Sequence, residues 1–295
     1  MAGSLPEENT KWRRRRNRWR WLALLLAVVL VTKYSKHSDN NKLGPHVAEI
    51  NINNVIIDDQ YRLDSLSEIN DNDDIRAVLM HVNSPGGLIT AGEKLYHEFK
   101  QIADNKPLVC VFESVAASAG YLISLPCHHI IAHETSEVGS IGVLVAYPEV
   151  ADLFEKLGIK YNVVRSGFYK AKPTPYEATS PEVTKLLQAH VDDGREYFVG
   201  KVLEHRKQID KSNKAIFDGR TFSGGKALTS KLVDAVGFRN HAVDWLKEQH
   251  QLDVKFIGYT LEKPKTPFEK FEDELGSYIK TQILQVLYAS TSYLF

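Results

Sequence analysis

Cysteine is scarce in this chain, net charge is absent, and no uncharged apolar run reaches the length of an ordinary membrane span. Two cysteines among 295 residues cannot build a disulfide framework, and neither stands at a zinc-type spacing from the histidines, so neither a metal site nor a cofactor is expected. Cys110 lies inside the apolar run Leu108–Phe112 and reads as a small buried hydrophobe, which predicts two free thiols. The 37 basic and 37 acidic residues cancel. Residues 1–33 carry +6, leaving −6 on the remainder, so the main domain has no basic excess for nucleic acid. There is no tandem repeat and no low-complexity tract. With 43% hydrophobic and 25% charged residues, the chain is ordinary globular material for one large domain or two small ones.

What the N-terminus does contain is a basic cluster followed by Trp21–Thr32, twelve residues without a charge. As a helix this covers about 18 Å, against a hydrocarbon core of about 30 Å. Counting Trp19 to Tyr34 and letting Arg20 and Lys33 snorkel lengthens it and puts aromatics at both ends. The following KYSKHSDN offers no small-x-small cleavage site, so an uncleaved signal anchor is expected at 21–34. The basic tail 1–20 then stays in the cytoplasm, a polar stalk occupies 35–46, and a catalytic domain over 47–259 faces outward, in a bacterium the periplasmic side of the inner membrane. The alternative is an interfacial helix on a cytosolic protein.

Within 47–259, strand-like runs (Val47–Ile57, Ile75–Val82, Leu108–Phe112, His129–Ala132) alternate with helical ones (Ala91–Ile102 and the stretch after Ser118). Such alternation predicts an α/β fold with a parallel sheet covered by helices. Pro148–Leu157 reads as a helix, Lys160–Val164 as a strand, and Ser180–Arg206 as a long helix with Ser at its cap and Pro in its first turn. Ile216–Gly219, a helix near Gly225–Lys231, Val233–Gly237, the helix Asn240–Gln249 and the strand Val254–Tyr259 follow. Residues 260–295 carry apolar positions at three-and-four spacing, an amphipathic helix with one covered face.

Two strand-to-helix junctions can carry chemistry. Glu113–Ser124 reads ESVAASAGYLIS, an apolar strand running into small residues and a helix start. A serine there presents its hydroxyl outward beside unpaired helix-start N–H groups, which suits acyl transfer. Ser118 is the candidate nucleophile. The other junction is His81–Thr90, HVNSPGGLIT, whose Pro-Gly-Gly turn lets backbone approach a ligand closely. Gly87 and Ala119 are the candidate oxyanion donors. A general base is less legible. Lys170 and Lys172 both lie in the loop 166–175, and a lysine serves as a base near neutral pH only if burial or a cation lowers its pKa. Phe168 and Tyr169 are placed to exclude water from it, and Ser140 of the Gly139–Gly142 GSIG segment to orient its amine. The histidines His128, His129 and His133 lie close after the serine, around a strand, and Glu113 and Glu137 are carboxylates available to a crotonase-like acyl-CoA enzyme. A non-catalytic scaffold of the same shape needs neither Ser118 nor a lysine.

Taken as a set and in this order, NSPGG, AASAGY and GSIG resemble the signal peptide peptidase A family of membrane-bound serine proteases. The resemblance extends from about Val47 to Gly237, including the FDGR and LVDAVG segments. It implies a Clp protease/crotonase-like fold of repeated ββα units, here preceded by the transmembrane anchor helix. It also implies a serine nucleophile at Ser118 and a lysine base, which falls on Lys170 after Ser166-Gly167-Phe168-Tyr169. A Clp-type histidine would fall on Val143, which disfavours that triad. Ala119 and Leu122 replace residues common in relatives, and the Ala119 methyl is expected to narrow the site. The implied substrates are released signal peptides or other short apolar peptides. The single half-length catalytic unit implies a homo-oligomeric ring, an octamer, in which Lys170 reaches Ser118 of the next protomer.

Overall fold

The computed structural model, which describes residues 44–264, is built on three long parallel strands, β1 (His46–Asn53), β2 (Ile75–Ser84) and β3 (Leu108–Ala117). β2 lies in the middle and is buried at all but two of its ten positions, as a parallel strand covered on both faces must be. Val78, Met80 and Val82 point into one core, while Ala77 and Leu79 point into the other. The strands β4 (His129–Ala132), β5 (Glu137–Gly139), β6 (Thr221–Ser223), β7 (Ala235–Val236) and β8 (Lys255–Tyr259) complete an eight-stranded sheet. Its order is β6-β5-β3-β2-β1-β8, with β4 beside β3 and β7 beside β4. Only the β5–β6 pair is antiparallel.

Helices cover both faces. α1 (Gln60–Asp71) follows β1, and α2 (Ile89–Asn105) follows β2 and buries Ala91, Leu95, Tyr96, Phe99 and Ile102. That three-and-four spacing makes one apolar stripe against the sheet. The one-turn α3 (Ala119–Leu122) follows β3, and α4 (Ala151–Lys156) buries no residue. The long α5 (Pro181–His205) adds Phe198 and Val202 to the larger core. α6 (Gly224–Thr229) follows β6, and α7 (Arg239–His250) closes the opposite face with Ala242 and Leu246.

One irregularity in the sheet positions the site. β2 and β3 keep register from Val78↔Leu108 to Val82↔Phe112, but Ser84 pairs with Ala116. Two residues of β2 are thus matched by four of β3, a bulge that bends the strand. The first half of β3 pairs with β4 and the second half with β5. The end of β3 is thereby carried to the end of β2.

Several sequence expectations change here. Cys110 and Cys127 are joined as a disulfide with Cα atoms 6.0 Å apart, so the expectation of two free thiols is corrected. The chain after α3 turns back along β3, where His128 N–H donates to the Leu108 carbonyl, and this return brings Cys127 beside Cys110. Lys160–Val164 is not a strand. Its apolar side chains find no neighbouring strand, and Val164 is fully exposed. Lys214–Phe217 forms a 3-10 turn that overlaps the segment Ile216–Gly219. The anchor at 21–34, the tail 1–20, most of the stalk and all but the start of 260–295 lie outside the described residues, among which no helix is long and apolar enough to cross a membrane.

Two polar clamps close the layers. Arg206, just past α5, places Nη1 and Nη2 at 3.0 and 2.8 Å from the Asp234 carboxylate and donates through Nε to the Lys231 carbonyl at 2.8 Å. Asp234 also accepts from the Ile130 N–H at 2.8 Å. Burial works to lower the Arg206 pKa, but the hydrogen-bonded carboxylate outweighs it and holds the guanidinium above its ordinary value. On the other face, His81 stands between Glu49 and Glu113, 2.7 Å from each, and Arg239 donates to both Glu49 oxygens at 2.6 Å. The Arg239 hydrogen bond, helped by His81 and opposed by burial, holds the Glu49 carboxyl below its usual range.

Replacing Asp234 by Ala leaves the Arg206 charge and the Ile130 N–H without their partner. Urea unfolding should show a loss of about 1–2 kcal/mol, since Arg206 is largely covered but Asp234 is open to solvent. For Glu49 the folded pKa is the lower one, so its contribution is full above the unfolded carboxyl value of about 4.3 and disappears as pH falls through the folded value. Glu49→Gln should therefore be less stable than the parent at neutral pH, with the gap closing on acidification. A gap that stays constant on acidification contradicts this.

Candidate active site

The turn after β2 and the turn after β3 meet at one contact. Ser118 adopts φ 51° and ψ −124°, a left-handed backbone that costs a residue with a Cβ about 1–3 kcal/mol. Its N–H donates to the Gly139 carbonyl at 2.8 Å, and its carbonyl accepts from Tyr121 and Leu122 at 3.0 Å. These bonds hold the serine at the junction against the strain. Facing it is Gly86, at φ +108°, where a Cβ would stand 2.6 Å from Ser118 Cβ and 3.0 Å from its Oγ. No side chain fits there.

The Pro-Gly-Gly turn is held from behind. Ile56 donates to the Gly86 carbonyl at 2.8 Å and accepts from the Leu88 N–H at 2.9 Å, a single parallel bridge centred on Gly87. A Cβ on Gly87 would strike the Ile56 carbonyl at 1.9 Å. In such a bridge the Gly87 N–H points away from Ile56. Ala119 supplies the first N–H of α3. Among the described residues, neither N–H has a hydrogen-bond partner. Unpaired backbone donors near a serine hydroxyl are the kind of group that can stabilise a developing oxyanion.

Ser118 and Gly87 open into a cleft of about 980 Å³ that Ser140 also lines. The Ala119 methyl does not narrow it as expected, because it points at Gly92 of α2, 3.0 Å from where a Cβ there would lie. Lys170 is not among the lining residues. It sits in an exposed turn, its N–H bonded to the Gly167 carbonyl at 3.1 Å. Phe168 and Tyr169 do not dry it within one chain: they are 53% and 52% exposed, and Lys172 rests 3.9 Å over the Phe168 ring.

The other titratable candidates have other partners. Glu113 binds His81, and neither it nor Glu137 lines the cleft. His128 accepts from the Leu108 N–H at 3.1 Å, His133 lies 3.8 Å from Glu113, and His129 stacks on Trp245 with burial lowering its pKa. None of the three lines the cleft. Sequence reasoning missed Ser84, fully buried, whose hydroxyl accepts from the Gly86 N–H at 3.2 Å and so sets the turn. It also missed Arg195, Lys211, Lys214 and Phe217, which line the cleft. Nothing local marks these as site residues; only the return of the chain past α5 does.

The model of peptidase family S49 matches residues 100–253, and that of Clp protease matches residues 48–134. A protein of Methanocaldococcus jannaschii described as a candidate protease is 34% identical over 232 residues, covering 78% of this chain and 74% of that protein. A protein of Enterococcus faecium described as a candidate signal peptide peptidase SppA is 32% identical over 228 residues, covering 72% of this chain and 66% of that one. Protease 4 of Salmonella typhi is 28% identical over 216 residues, which are 73% of this chain and 35% of that protein. The chain thus belongs to peptidase family S49, the signal peptide peptidase A family, and is a serine peptidase.

Proposed function

We propose that the chain is a membrane-anchored serine endopeptidase of Clp protease/crotonase-like fold, working through a Ser118/Lys170 dyad. The observation that carries the reading is Ser118, held at φ 51° against Gly86 with the unpaired N–H groups of Gly87 and Ala119 beside it. In this scheme the neutral Lys170 amine takes the Ser118 hydroxyl proton as Oγ attacks a peptide carbonyl. The two N–H groups hold the oxyanion, and the proton passes from lysine to the departing amine as the C–N bond breaks. Water then attacks the acyl-enzyme by the same route and frees the acid.

Lys170 comes from a neighbouring protomer of a homo-oligomeric ring, an octamer. Two features support this reading: Lys170 does not line the cleft of its own chain, and the segment that carries it exposes Leu157, Val164, Phe168 and Tyr169. Apolar side chains left in water along one segment are the material of a subunit contact. The anchor is residues 21–34, in a bacterial inner membrane, with the N-terminus cytoplasmic and the catalytic domain outside. The Cys110–Cys127 disulfide is in keeping with an oxidising compartment. The substrates are released signal peptides or other short apolar peptides, which an anchored site meets at the bilayer surface.

Hydrolysis of a fluorogenic apolar peptide by the full chain tests the dyad. Ser118→Ala and Lys170→Ala should each lower kcat by about 10³-fold or more while leaving assembly unchanged. Co-assembly of the two inactive variants should restore part of the activity, because some interfaces then pair an intact Ser118 with an intact Lys170. No restoration in a demonstrably mixed assembly argues for sites within one chain.

Gly86→Ala should lower kcat/KM by about 10²-fold, the scale of an ångström-sized displacement at a reacting centre. Gly158, at φ +69° with nothing within 4 Å, supplies the control. In assemblies of unchanged size, Gly158→Ala carries the backbone strain without the contact and should cost thermal stability but not turnover.

A further inference from the structure

The cleft that opens from Ser118 is lined by three cationic residues. Arg195 of α5, with Lys211 and Lys214 of the segment after it, lines the cleft. Its one acidic lining residue, Asp218, is already occupied: Arg220 Nε stands 2.9 Å from both Asp218 oxygens and Nη2 2.6 Å from one of them. Arg195 is held differently. Its Nε and Nη2 donate to the Phe217 carbonyl at 3.3 and 2.8 Å, which fixes the guanidinium plane against the wall. That bond is to a neutral group, and among the described residues no ion pair engages Arg195, Lys211 or Lys214. The same cleft has apolar lining residues, among them Ile89, Leu144 and Val199, the last one turn along α5 from Arg195.

Resting on the peptidase reading above, we propose that this cleft selects apolar peptides bearing a carboxylate, and that Arg195 is the residue that reads it. An oriented guanidinium presents N–H donors in a fork that matches a carboxylate, and its charge is not lost at any working pH. Lys211 and Lys214, on flexible stems at the exposed rim, add attraction over a longer range that salt screens. The apolar lining takes the neighbouring side chains. The carboxylate has two chemical sources: the free C-terminus of a peptide already cut from a longer chain, or an Asp or Glu side chain within it.

Fluorescence anisotropy with the full-length Ser118→Ala chain separates these sources without depending on turnover. Four labelled peptides share one apolar sequence, end in a free acid or an amide, and carry Glu or Gln at one internal position. Loss of the recognised carboxylate should weaken binding roughly tenfold, the scale of one charge-assisted hydrogen bond. Arg195→Gln should bring the four peptides to parity, and Arg195→Lys should keep part of the preference. A preference that follows the terminus assigns the chain end, and one that follows the side chain assigns an acidic subsite. Equal affinities, absence of binding, or a preference that survives Arg195→Gln overturns the proposal. Cleavage of the same four peptides by the unsubstituted chain keeps the two readings apart. Cleavage without any carboxylate preference removes this inference and leaves the peptidase, whereas a preference without cleavage leaves the carboxylate site and removes the peptidase reading.

Discussion

Contact between two backbone turns, Gly86 against Ser118, is the constraint to which the rest of the structure is fitted. A Cβ on either Gly86 or Gly87 would collide with backbone or with the serine itself, so the turns can close only with glycine at both places. Closing them needs the ends of β2 and β3 side by side, and the bulge opposite Ser84 supplies that. It needs the turn after β2 to be held from behind, and the Ile56 bridge with the buried Ser84 hydroxyl supplies that. The cores on either face of the sheet then act as a mould. They hold a serine in a backbone conformation it would not choose, and leave the N–H groups of Gly87 and Ala119 unpaired in the two turns that meet there.

Rigidity is unevenly distributed around that contact. The strands and α2 are buried throughout their facing sides, whereas α4 buries nothing and the loop carrying Lys170 lies in solvent. Local opening costs least where few apolar contacts are made. The proposed nucleophile and oxyanion donors thus belong to the stiffest part of the domain, and the proposed base to the least packed. In a ring, subunit contact would order that segment, and activity would depend on assembly without any change at the serine.

Much of the sheet was legible because its signal is local. β1, β2 and β3 are apolar runs closed by turn residues, α2 shows a continuous stripe, and Ser180-Pro181 opens α5 where expected. α1 was not foreseen, since only Arg62, Leu66 and Ile69 are buried along it and its sequence is otherwise polar. The expected strand at Lys160–Val164 shows the opposite failure: alternation records side-chain type, and a strand also needs an edge to pair with. β5 and β6, three residues each, are too short to carry a period. The cysteine pairing was invisible because it depends on how the chain returns after α3. In the site, the serine and the Pro-Gly-Gly turn could be read from their neighbours in sequence. The cationic lining could not, since Arg195 and Lys214 look like solvated helix and loop charges until the fold brings them to the cleft that Ser118 lines.

The central claim is that Ser118 is a nucleophile activated by its surroundings, and covalent labelling addresses it most directly. The full, assembled chain would be treated with a serine-directed phosphonate and mapped by peptide mass spectrometry. The account predicts one adduct, on Ser118, whose rate of formation falls when Lys170 is replaced by Ala. An adduct on a different serine, or a folded and assembled chain in which Ser118 stays unlabelled, would contradict it.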